Sequence, residues 1–132
     1  MLKFSLTDKT YIRYTEQGSG QPLLILHTLR NRLEYADRIL PELSRFFKVY
    51  VLDLPGHGDS PINKNTNYDL SFIANSIIDF IDFKNLNELT IVGESIGAVL
   101  SAIIAKKIPQ KVKKIFCFNP YDYDKKFGEG VS

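Results

Sequence analysis

With 132 residues, 44% of them hydrophobic and 24% charged, the sequence has the usage of one ordinary globular domain and leaves no room for a second. A net charge of +2 and a pI near 8.6 are too mild to argue for a nucleic-acid partner, and the aromatic residues do not interleave with a basic stripe. No stretch approaches the roughly 18 apolar residues of a membrane span. Residues 1–8 carry neither an apolar leader core nor a cleavage site, so no membrane partner is expected and the cytoplasm is the expected location.

Residues 2–6 and 11–16 alternate apolar and polar side chains around Thr7-Asp8-Lys9-Thr10, which predicts an antiparallel hairpin at a sheet edge. After the turn Gln17-Gly18-Ser19-Gly20, residues 22–26 are continuously apolar, as in a strand buried on both faces within the parallel part of a sheet. A helical segment is expected from about Arg32, with Leu33, Ala36, Ile39, Leu40, Leu43 and Phe46 on one side. Pro41 interrupts it and starts a second short turn, because a proline ring does not fit an unbroken helix. Residues 47–54 read as the next buried strand, and Leu70, Ile73, Ile77, Phe80 and Ile81 mark a helix capped by Asp69.

Residues 88–92 are a short β-branched, apolar run, whereas Ile96, Val99, Leu100, Ile103 and Ile104 recur at helical spacing. The change of period falls on Gly93-Glu94-Ser95-Ile96-Gly97, the pattern of a nucleophile elbow. A serine at the apex of such a turn sits at positive φ, and the residues two before and two after it pass close together, so Gly93 and Gly97 remove Cβ atoms that would collide. Pro109 stops the helix, and Val112–Phe118 is expected to form a further strand.

The lone Cys117 cannot form an internal disulfide and reads as a small buried hydrophobe. Lysines 106, 107, 111, 113 and 114 cluster at a helix C-terminus and the loop beyond it, where cations complement the macrodipole, and read as a solvated face. Gly18-x-Gly20 precedes a strand instead of opening a helix, and no G-x-x-x-x-G-K-[ST] occurs, so nucleotide binding is a poor reading; no cofactor and no metal is expected. The alternation of strands and helices is that of an α/β layer protein, with no internal repeat.

Three segments in the right order resemble the N-terminal half of an α/β-hydrolase. Leu24-Ile25-Leu26-His27 is similar to the strand and HG loop that supply one oxyanion-hole amide. Asp53-Leu54-Pro55-Gly56-His57-Gly58-Asp59-Ser60 looks like the D-x-P-G-x-G-x-S loop after the fourth strand, and the elbow is the third segment. The resemblance implies a mostly parallel sheet ordered 1-2-4-3-5-6, a single partial core domain over residues 1–132 that lacks the cap and the C-terminal strands, and a cap region beginning near residue 124.

By the same resemblance Ser95 is the nucleophile, and the backbone N–H groups of Ile96 and Leu29 form the oxyanion hole. The glycine that usually follows the loop histidine is here Thr28, whose side chain either restricts the loop or adds a donor. His27 corresponds to the histidine that buttresses this loop, His57 to a turn residue, and Asp53 and Asp59 to loop-shaping acceptors. Asp122, just past the strand that follows the elbow helix, stands where some members carry the catalytic acid.

A serine hydrolase of this fold needs Ser, then Asp or Glu, then His in chain order, and no histidine follows Ser95. Two functions therefore stand side by side. One is the N-terminal part of a serine hydrolase acting on a small-molecule carboxylic ester or related acyl compound, with the histidine supplied by a complementary C-terminal half. The other is a truncated, non-catalytic binding or interaction module. An apolar last strand also points to self-association. A serine at the elbow, where dehalogenases of this fold carry aspartate, argues against a carbon–halogen substrate.

Overall fold

In the computed structural model, residues 2–27 and 36–118 are described. Six strands form one sheet: β1 (Leu2–Ser5), β2 (Tyr11–Gln17), β3 (Gln21–Leu26), β4 (Phe47–Leu52), β5 (Leu89–Glu94) and β6 (Val112–Phe118). Their spatial order is β1-β2-β4-β3-β5-β6, as the resemblance implies. The hairpin β1–β2 joins β4 antiparallel, and β4, β3, β5 and β6 run parallel.

The continuous apolar runs occupy the middle of this order because both of their faces are covered. Leu24, Leu26, Tyr50, Leu52 and Ile91 face the core shared with α2 (Leu70–Phe83) and α3 (Ile96–Lys107), while Leu23, Ile25, Val49 and Val51 face a smaller cluster with Ala36. Phe80 of α2 anchors the larger core, with its ring against the rings of Phe4, Tyr14 and Tyr50. Asp69 caps α2 as expected, its carboxylate accepting the Phe72 N–H at 2.8 Å.

Two expectations are corrected. The segment around Pro41 contains only the four-residue α1 (Leu40–Leu43), with proline in its first turn, so a helical register is not kept from 36 to 46. Ala36 is buried and Leu40 and Leu43 pack on the smaller cluster, but Ile39 and Phe46 are 50% and 67% exposed. Residues 28–35, including Arg32 and Leu33, lie outside the described residues. Cys117 is exposed rather than buried, because β6 is an edge strand that pairs only with β5 among the described residues. Among those residues, too, no helix is long and apolar enough to cross a membrane.

Candidate active site

The end of β5 and the start of α3 build the elbow. Ser95 has φ 56° and ψ −115°, a backbone conformation that costs a residue with a Cβ about 1–3 kcal/mol. Its neighbours fix it there. The Ser95 N–H donates to the Phe118 carbonyl at the end of β6 at 2.8 Å, and its own carbonyl accepts from Ala98 at 3.0 Å and Val99 at 3.2 Å. The side chain is half-buried and makes no capping bond to the helix it precedes.

Both elbow glycines are required by close approach. A Cβ on Gly93 would run into the Gly97 carbonyl and the Ser101 hydroxyl, which itself donates to the Gly97 oxygen at 2.7 Å. A Cβ on Gly97 would meet the carbonyl oxygens of Leu26 and His27. The first turn of α3 is thus wedged against the end of β3. Ile96, buried at the first helical position, has its N–H ahead of the ladder that begins with Ala98 and Val99, at the positive end of a 12-residue helix.

His27, fully buried, accepts the Leu54 N–H on Nε2 at 2.9 Å and so ties the end of β3 to the loop after β4. His57 places Nδ1 3.0 Å from the Pro55 carbonyl, with its ring centroid 5.8 Å from that of His27. Asp53, also fully buried, accepts the Asp59 N–H at 2.8 Å, as a loop-shaping carboxylate does. Leu29 and Asp122, the expected second oxyanion donor and acid, lie outside the described residues.

A residue that sequence reasoning missed completes the loop. Arg13 of β2 is buried, with Nε 2.6 Å from Asp53 Oδ2 and Nη1 2.8 Å from Asp59 Oδ2. The signal that could have found it is an arginine between Ile12 and Tyr14 in an otherwise apolar stretch of strand, upstream of a loop with an acid near each end.

Elsewhere, burial pushes the Asp8 carboxyl up, but donors from Thr10, Thr66 and Tyr68 outweigh it and hold the group below its usual range. Glu16 is held low chiefly by its hydrogen bond to Lys84, against the effect of burial. No group of three or more His, Cys, Asp or Glu side chains among the described residues is placed to hold a metal ion.

The α/β hydrolase fold family matches residues 21–131, and the chain belongs to that family. It is 27% identical over 114 residues to (E)-2-((N-methylformamido)methylene)succinate hydrolase of Acinetobacter baylyi, a match covering 86% of this chain and 43% of that protein. A hydrolase from Pseudomonas aeruginosa superposes with a TM-score of 0.84 at 22% identity, covering 91% of this chain and 46% of that one. An esterase from a marine microorganism superposes with a TM-score of 0.75 at 32% identity, covering 80% and 40%. The chain thus spans less than half the length of these relatives.

Proposed function

We propose that this chain carries the nucleophile side of a serine hydrolase acting on a carboxylic ester or related acyl bond of a small molecule. The observation that carries the reading is Ser95 at φ 56° between two glycines that admit no Cβ, a strain that packing alone gives no reason to keep. Hydrolase and esterase relatives support the same class of chemistry.

In this reading Ser95 Oγ attacks the acyl carbon and passes its proton to a histidine. The Ile96 and Leu29 N–H groups stabilise the tetrahedral oxyanion. Collapse expels the alcohol, which takes that proton, and water then hydrolyses the acyl-serine. Asp122 is the acid that this reading offers within the 132 residues. Both histidines of the chain precede Ser95, and the described bonds of His27 and His57 suit loop support, so the base comes from a C-terminal half that also brings the cap, from about residue 124. The same shortage of a base favours the second reading, a non-catalytic binding or interaction module.

Hydrolysis of a chromogenic short-chain ester separates the two. It is measured for the 132-residue chain, for a longer form carrying a further strand, an acid and a histidine, and for Ser95→Ala in each. The longer form should turn over in a Ser95-dependent way, and the short chain should fall behind by on the order of 10⁶, the cost of losing a triad base. Equal, Ser95-independent rates in all four would leave the non-catalytic module. Strong Ser95-dependent turnover by the short chain would make His27 or His57 the base.

A further inference from the structure

Because β2 runs antiparallel to β4, its early residues lie beside the carboxyl end of β4, the edge of a parallel sheet where ligand sites form. Arg13 stands there. Its main chain extends the ladder beyond the last strand pair, its carbonyl accepting the Asp53 N–H at 2.9 Å and its N–H donating to Ser60 Oγ at 3.0 Å. Its guanidinium reaches Asp53 and Asp59. One residue therefore grips both ends of the 53–60 loop.

That loop carries Leu54, whose N–H holds the imidazole of His27, and the His27 carbonyl is one of the atoms that a Cβ on Gly97 at the elbow would meet. A continuous set of contacts leads from Arg13 through Asp53 and Leu54 to His27, the residue that follows β3.

We propose that Arg13 is a positioning residue, which fixes the 53–60 loop and through Leu54 sets the orientation of the His27 imidazole beside the elbow. The catalytic consequence rests on the reading of Ser95 above; the positioning does not. Lysine cannot replace it, since a point charge on a flexible stem does not serve two carboxylates in fixed directions as a planar guanidinium does.

The test uses Arg13→Lys and Asp59→Asn in the 132-residue chain. Asp59 has a side chain 53% exposed, so its variant folds even if the first does not. Two readouts report the position of the loop: amide hydrogen exchange at Leu54, and the ¹⁵N signals of the His27 ring. Exchange at Leu54 should quicken about tenfold or more, the scale of one weakened charge-assisted contact, and the ring signals should move away from a pure Nε2 acceptor. Leu24 and Ile91 in the central strands should exchange as in the parent chain. Unchanged Leu54 exchange and ring signals in a folded variant would overturn the proposal, as would equal acceleration at Leu24, Ile91 and Leu54, which marks general loosening.

Labelling of Ser95 by a fluorophosphonate, with the same substitutions in the longer form that carries the histidine, adds the link to chemistry. The variants should label several-fold more slowly with unchanged reversible affinity for the probe. If the parent of that longer form does not label at all, the reading of Ser95 fails while the exchange and ring signals still decide the role of Arg13.

Discussion

Nε2 of His27 accepts the main-chain N–H of Leu54 at 2.9 Å, joining two loops that are 27 residues apart in the chain. The bond needs the lone pair on Nε2, so the ring is neutral with its hydrogen on Nδ1.

His27→Phe keeps an aromatic ring, one atom larger, and removes the acceptor. A buried N–H left without a partner costs about 1–3 kcal/mol, so the urea midpoint should fall with little change in slope. An unchanged midpoint would show that Leu54 finds another acceptor.

At the elbow, two substitutions should move stability in opposite directions. Ser95→Gly relieves a backbone conformation that costs about 1–3 kcal/mol, and should raise the midpoint. Gly97→Ala forces a methyl group onto the carbonyl oxygens of Leu26 and His27 and should cost about 1–3 kcal/mol, as overpacking does. Thermal unfolding of the two variants beside the parent measures both.

Acid should destabilise the fold through Asp8 and Glu16. The carboxyl of Asp8 is pushed up by burial but pulled below its ordinary 3.8 by Thr10, Thr66 and Tyr68; that of Glu16 is pulled below 4.5, mainly by Lys84. Both bind protons more weakly folded than unfolded, so their stabilisation is complete above those ordinary values and is lost as pH falls through the lower folded ones. Lys84 is raised above 10.5, chiefly by the Glu16 hydrogen bond, and its contribution is lost only as pH climbs through the folded value. Asp8→Asn should flatten the acid limb of stability against pH. Lys84→Met should remove about 1 kcal/mol or less at neutral pH, since the pair is partly exposed.

Phe116 and Phe118 of β6 are 50% and 55% exposed, on a strand that pairs on one side only among the described residues. Such an edge recruits a second copy. The 132-residue chain should therefore self-associate in sedimentation, and Phe116→Thr with Phe118→Thr should shift it toward monomer without lowering the midpoint. A parent chain that stays monomeric at high concentration contradicts this.

The elbow was legible because two periods meet at Ser95 and because glycines flank it where Cβ atoms cannot go. The sheet order came from the resemblance, since spacing alone does not say that β4 lies between β2 and β3. Arg13 was not legible. Alternation along β2 assigns one of two faces to each residue, yet Ile12, Arg13 and Tyr14 are all buried, the arginine by ion pairs with acids some 40 residues away. Cys117 misled for the opposite reason: an apolar run signals burial only where neighbours cover both faces, and strand rank is set by the whole sheet. Ile39 and Phe46 were counted on one helical face that the short α1 around Pro41 does not sustain.

The order of the strands also has a consequence for synthesis. β3 is central, but both of its partners are made after it: β4 at Phe47–Leu52 and β5 at Leu89–Glu94. A chain emerging from the ribosome can close only the β1–β2 hairpin at first. Leu23, Leu24, Ile25 and Leu26 then wait with one edge open until β5 appears, several seconds at roughly 5–20 residues per second. β3 is thus the strand longest without both of its neighbours, and its open edge is closed only once the strand just before the elbow serine has been made.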